Sequence, residues 1–363
     1  MIRRRQLIKA AGLGAAGAAL AMPALGQGLP EVKWRLASSF PRSLDLLHGG
    51  AEVFAQAVAD ATDGKFQIQI FVPGEVVSSL EALDAVQKGT VEACHTALSY
   101  YWGKDPTFAL ATGVPFGMNS RQQSAWFSHG GGNDLLNEFL KDFGCSALPA
   151  GNTGCQMGGW FRSEIKSAAD LNGLKIRIGG VAGKVLQRLG AVPQQIAAGE
   201  IYSELDKGSI DAAAWVGPYD DEKIGLTKVA RFYYYPGWLA GSTTLHLVFN
   251  QAKWNDLPKP YRAILTTAAG LANADMQARY DAANPAALKR LVAGGAKLRA
   301  IPQDVLEASY KAASELYKEI ADDNPKFKKV LEAFTAFRND EYLWWQVAEY
   351  TYDNFMIRQR AKG

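Results

Sequence analysis

Apolar positions recur along this chain with two periods, and the period changes where glycine or proline punctuates it. In KFQIQIFV (Lys65 to Val72) they alternate, placing Phe66, Ile68 and Ile70 on one face of a strand that Pro73-Gly74 ends. VKWRLASSF (Val32 to Phe40) reads as a strand running into a polar loop, and Leu44 to Ala61 carries helical spacing. A short helix from Leu80 to Lys88 ends at Gly89, and TVEACHTAL after it reads as the next strand. Strand, helix, strand, helix, strand predicts an open, mostly parallel sheet.

The pattern restarts after Gly151. CQMGGWF (Cys155 to Phe161) and LKIRIGG (Leu174 to Gly180) read as strands, Ala182 to Leu189 as a helix. AGEIYSELDKG is a further helix ending at Gly208, and SIDAAAWV is its strand. VQKGTVEA at Val86 to Ala93 is echoed by LDKGSIDA at Leu205 to Ala212, with Gly89 and Gly208 separated by 208 − 89 = 119 residues. One joint, helix to glycine to strand, thus occurs once in each of two similar α/β lobes. Ligands of open α/β sheets sit beyond the carboxyl ends of the strands, so a cleft between the lobes is the expected site. The last third is helical: Pro260 to Val292 and Val305 to Ala321 carry the 3.6 period. Tyr342, Trp345, Ala348, Tyr352 and Phe355 form an aromatic stripe on a terminal helix.

The first residues change how the charge is read. Arg3-Arg4-Arg5 precedes an Ala/Gly/Leu run from Ala10 to Leu20 and a small-residue site at Ala24-Leu25-Gly26, the pattern of a cleaved export signal of twin-arginine type. Gly12, Gly14 and Gly17 fit a dinucleotide fingerprint by letter, but no strand precedes them. Removing the four basic charges of this segment takes the formal net charge of +3 to −1, which leaves no basic surface for nucleic acid. The three cysteines, Cys94, Cys145 and Cys155, read as small buried residues, or with Cys145 and Cys155 bridged. His129-Gly130-Gly131-Gly132 imitates an esterase oxyanion loop, but the chain has no G-x-S-x-G elbow. Its four histidines show no metal-binding spacing, and enzyme readings find no support.

Arg177 stands out on physical grounds. Leu174, Ile176 and Ile178 share one strand face, so Arg177 lies on the other, directly before Gly179-Gly180. A guanidinium there offers a carboxylate a planar fork of donors. The competing reading is an interlobe ion pair. Gln156, between Gly154 and Gly158-Gly159, reads as a strand side chain beside open backbone. Trp215, after the second copy of the repeat, is a flat cleft wall or a core residue. Tyr100 and Tyr101 hold the corresponding place in the first lobe.

WRLASSFP, YYWGKDPTFAL (Tyr100 to Leu110), GNTGCQMGGWFR (Gly151 to Arg162), GLKIRIGG and IDAAAWVGPYDDEK (Ile210 to Lys223) together resemble a solute-binding subunit of a tripartite ATP-independent periplasmic (TRAP) transporter, nearest to the subgroup that takes 2-oxo acids such as pyruvate. The resemblance implies a two-lobed periplasmic binding protein with a ligand cleft and a helical C-terminal region. Residues 1–26 would be the signal; 27–125 plus roughly 216–250, lobe I; and 126–215, lobe II. Residues 251–363 would pack on both lobes, with 338–360 as a dimerisation helix. It implies that Arg177 clamps the substrate carboxylate and that Gln156 contacts the ligand, or a cation, through its amide. Asn152 and Phe249 are added as contacts on resemblance and position. It implies partners too: a small monocarboxylate, permease subunits in the membrane and, as in some relatives, a second copy of the chain. A ligand-presenting protein for a sensor kinase, or a secreted enzyme on a binding scaffold, are the alternatives.

One departure matters. Metal-bearing relatives place an acid before the cleft tryptophan and another after the tyrosine run, where this chain has Ala214 and Ala240. Gln156 and the Trp215 carbonyl remain as cation ligands, with Asp220 as a possible substitute acid. The expectation is therefore no obligatory sodium or calcium, and a bulkier ligand in the vacated space.

Overall fold

The computed structural model describes residues 28–360; the expected export segment, with Gly12, Gly14 and Gly17, lies outside the described residues. Two sheets organise the chain. The first has the order β2-β1-β3-β10-β4, from β1 (Val32–Ser38), β2 (Phe66–Phe71), β3 (Ala93–Thr96), β10 (Thr244–Asn250) and β4 (Cys145–Asn152). The second has the order β11-β9-β5-β8-β6-β7, from β11 (Lys297–Ala300), β9 (Phe232–Tyr235), β5 (Gly159–Phe161), β8 (Ala212–Ala213), β6 (Lys175–Arg177) and β7 (Val192–Gln194).

Each sheet is parallel but for one strand, β10 in the first and β5 in the second. Both enter directly from the other lobe and so run against their neighbours. Two crossovers, 153–158 and 236–243, therefore tie the lobes together. Sheet membership departs from the boundaries read in the sequence at two strands: β4, expected in lobe II, closes the first sheet, and β9, expected in lobe I, belongs to the second. Pro149 disguised β4 in the sequence, yet β4 is an edge strand, where a missing N–H is tolerated. The C-terminal region is not wholly helical either, since it supplies β11.

The repeated joint is the same structure twice. Gly89 and Gly208 both adopt left-handed backbone, with φ of 70° and 76°. Behind each glycine the next N–H returns to the carbonyl five residues back, Thr90 to Ala85 at 2.8 Å and Ser209 to Glu204 at 3.0 Å. The strands that follow, β3 and β8, each lead into the cleft.

The 35-residue helix Lys259–Ala293 spans both lobes. Tyr261, Leu265 and Ala272 pack in the first-lobe core with Trp34, Phe54 and Phe249, and Leu291 packs in the second with Trp160 and Tyr233. Two carboxylates sit at this junction on the helix Pro218–Lys223. Asp221 accepts hydrogen bonds from Trp160 Nε1 at 2.9 Å and Tyr233 Oη at 2.7 Å, and Asp220 accepts one from Tyr280 Oη at 2.5 Å. All three cysteines are free; Cys94 and Cys145 are buried as expected, whereas Cys155 is exposed. Among the described residues no helix is long and apolar enough to cross a membrane.

Candidate functional site

A cavity of about 100 Å³ lies between the lobes where the two crossovers and the ends of β6 and β8 converge. The first lobe contributes Phe40, Ser99 and Tyr100, the second Arg177, Gly179-Gly180 and Ala214 to Val216, and the crossovers Thr153, Gln156, Leu239, Ala240 and Thr243.

Arg177 ends β6 and is only 6% exposed. Its Nε donates to Ile196 O at 3.0 Å and its Nη1 to Ala214 O at 2.8 Å, while the guanidinium carbon lies 4.7 Å from the centre of the Trp215 ring. Two carbonyls and an aromatic face thus fix the plane of the fork. Burial pushes its pKa down, and the Tyr100 hydroxyl beside it works the other way. The residues lining the cavity include no Asp or Glu, so nothing in the wall neutralises this charge. The interlobe ion pair is therefore not what Arg177 makes. A buried cation without a countercharge is expensive, and a ligand carboxylate is the group that would offset it.

The other walls present an acceptor as well as donors. Gln156 Nε2 donates to Thr153 Oγ1 at 3.1 Å and Thr243 Oγ1 at 2.9 Å, which leaves its amide oxygen for a ligand or cation. Gln156 lies on the crossover between β4 and β5, not on the strand expected for it, and this is what brings it into the cleft. Trp215 Nε1 is buried without a hydrogen-bond partner. The helix Gly180–Arg188 opens onto the cavity, so its N-terminal amides add positive potential. Gly179 caps this helix and Gly180 begins it in left-handed backbone, with φ of 62°. A Cβ on Gly179 would stand 2.9 Å from Gln195 Oε1, and one on Gly180 would stand 3.5 Å from Ser99 O in the opposite lobe.

Of the sequence candidates, Arg177, Gln156, Trp215 and Tyr100 meet at the cavity, and Ala214 and Ala240 line it too. Three do not reach it. Tyr101 turns into the first-lobe core, where its hydroxyl accepts from Leu83 N at 3.0 Å and pairs with Thr96 Oγ1 at 3.1 Å. Phe249 packs among Trp34, Phe54 and Trp254. Asn152 acts one step behind the site: its Oδ1 accepts from Gly154 N at 2.8 Å and shapes the turn that presents Thr153. Ser99, Thr112, Thr243 and Leu239 line the cavity without having been found in the sequence, which surrounds them with no distinctive motif.

The cavity suits a monovalent organic anion better than a cation cage. Among the described residues no cluster of three or more His, Cys, Asp or Glu could hold a metal. Asp220 is no substitute acid, since it is fully buried against Tyr280 and does not line the cavity. Protein ligation of sodium or calcium would rest on the Gln156 amide oxygen and the Trp215 carbonyl, both neutral.

The family described as bacterial extracellular solute-binding protein, family 7 (DctP), matches residues 37–324. A monocarboxylate 2-oxoacid-binding periplasmic protein of Nostoc sp. is 47% identical over 98% of this chain and 99% of its own. The crystal structure of a TRAP transporter solute-binding protein from Bordetella bronchiseptica, a mixed-occupancy dimer with calcium and picolinate at one site, superposes with a TM-score of 0.90 at 47% identity, covering 92% of this chain and 99% of that one. A TRAP solute-binding protein from Pseudoalteromonas atlantica, with bound sodium and pyruvate, gives a TM-score of 0.87 at 36% identity, covering 89% and 99%. These relatives are binding proteins, not enzymes. The chain belongs to the family 7 bacterial extracellular solute-binding proteins, the fold and role that its sequence resemblance implied.

Proposed function

We propose that this protein captures a small 2-oxo monocarboxylate between its lobes and delivers it to the membrane subunits of a TRAP transporter. The observation that carries the reading is the buried Arg177 guanidinium, oriented by Ile196 O and Ala214 O and faced by no carboxylate of the cavity wall. The ligand carboxylate takes the fork, and the Tyr100 hydroxyl and Trp215 Nε1 donate to its remaining oxygens. Ala214 and Ala240 leave space beside the clamp, which favours an acid bulkier than pyruvate. Binding proceeds without an obligatory cation, because the two neutral oxygens available gain little over an ion's hydration shell. Residues 1–26 act as a twin-arginine export signal that places the protein in the periplasm. A thermal-shift screen of the mature protein over 2-oxo, 2-hydroxy and branched-chain acids tests the ligand class: 2-oxo acids raise the melting temperature by mass action, and no shift with any of them refutes it.

The C-terminal helices support a second element of the proposal, a homodimer. Trp344, Val347, Tyr350, Tyr352 and Ile357 on the helices Pro325–Val347 and Glu349–Arg360 are each more than half exposed, an apolar surface that a second copy would cover.

A further inference from the structure

We propose that Leu239 is a specificity-determining residue, the plug that limits how long an apolar tail the cleft accepts. The inference rests on the 2-oxo acid reading above. Behind the cleft, in the second-lobe core, lies a separate hollow of about 20 Å³ whose walls include Phe161, Ile176, Leu186, Ile301 and Val305. All its lining residues are apolar, and such hollows stay dry. Among the described residues Leu239 is the one side chain that lines both this hollow and the ligand cavity. It is 6% exposed and stands on the second crossover, next to Ala240.

The backbone that carries Leu239 is held on both sides. A Cβ on Gly237 would lie 2.2 Å from Gln156 O and one on Gly241 would lie 2.7 Å from Met118 O, so the chain already touches its neighbours there. Trp238 O also accepts from Phe116 N at 3.0 Å, and the two rings stack with centroids 5.3 Å apart. The plug cannot retreat by moving its backbone. Its side-chain volume alone decides whether the two spaces are one or two. Arg177 fixes the carboxylate end of the ligand, so the tail has a set origin, and each methylene that meets the plug must displace it or stay out.

Truncating Leu239 should therefore shift preference by tail length, not weaken all ligands alike. The affinities of Leu239→Ala, Leu239→Val and Leu239→Met for pyruvate, 2-oxobutanoate and 4-methyl-2-oxopentanoate are measured by calorimetry against the wild type. The ratio of affinities for 4-methyl-2-oxopentanoate over pyruvate should rise at least about tenfold in Leu239→Ala, the scale on which a hydrophobic pocket discriminates by methylenes. Leu239→Val should fall between, and Leu239→Met, of similar volume, should leave the ratio near the wild-type value. Should Leu239→Ala fail to fold, Leu239→Val carries the comparison. A ratio unchanged in the truncated variants, or raised equally by Leu239→Met, overturns the plug. Failure of the wild type to bind any of the three acids instead overturns the ligand class on which the inference rests.

Discussion

Replacing Arg177 with methionine separates the two roles a buried guanidinium can have. If Arg177 serves the ligand, its substitution removes the charge-assisted bonds to the carboxylate and leaves that carboxylate desolvated opposite an apolar chain. Truncating one partner of a buried, hydrogen-bonded charge pair costs about 2–5 kcal/mol, or about thirtyfold to several-thousandfold in Kd at about 1.4 kcal/mol per decade. The ligand-free protein should respond in the opposite sense. Arg177 is 6% exposed and pushed down in pKa by burial, and its wall offers only carbonyls, a hydroxyl and an aromatic face. Methionine relieves that desolvation while filling much of the same space, so the apo melting temperature should hold or rise. Differential scanning fluorimetry with and without pyruvate, followed by calorimetric titration, reads both effects. Wild-type affinity in Arg177→Met, or a large fall in apo stability with affinity retained, would refute the assignment and return Arg177 to a structural role.

Trp215→Phe keeps the ring over Arg177 but removes the unpartnered Nε1 donor, so affinity should fall by about tenfold at most, with a hydrogen bond worth about 0.5–1.5 kcal/mol; no change on titration would mean that the indole nitrogen faces no ligand. Burial first, and Asp221 and Asp45 secondarily, raise the Asp220 carboxyl from an ordinary 3.8 to about 7, against the opposing Tyr280 bond and Lys223. The folded state then holds a proton that the unfolded state has released, so this group's contribution is fully present below about pH 4 and is lost as pH rises through 7. Asp220→Asn should accordingly raise the melting temperature at pH 8 more than at pH 5, and an equal shift at both would contradict the sign. Trp344→Glu with Tyr350→Glu should turn a dimer into a monomer by light scattering, while a wild type already monomeric at micromolar concentration would count against the proposed homodimer.

The lobes were legible in the sequence because their signals are local. KFQIQIFV alternates and becomes β2, and the glycine caps at Gly89 and Gly208 have the left-handed φ that the repeated phrase required. Arg177 was legible because one strand separates it from its apolar neighbours. What escaped depends on contacts distant in the chain. β4 belongs to the first sheet and β9 to the second, because the chain changes lobe only after each of them, at crossovers that no periodicity encodes. Tyr101 and Tyr100 are adjacent and chemically alike, yet the turn Leu98–Tyr101 sends one into the core and the other to Arg177. Thr243 and Leu239 became visible only when the second crossover was laid beside the first.

The most direct test of the carboxylate clamp is calorimetric titration of the mature protein with a series of 2-oxo acids in chelator-treated, sodium-free buffer, with sodium and calcium added back in turn. Saturable binding of one acid per chain without either ion, little altered by their return, is the predicted result. Binding that vanishes in the chelator and reappears with sodium or calcium would show that the site rebuilds a cation shell despite Ala214 and Ala240. The absence of binding under every condition would contradict the clamp itself.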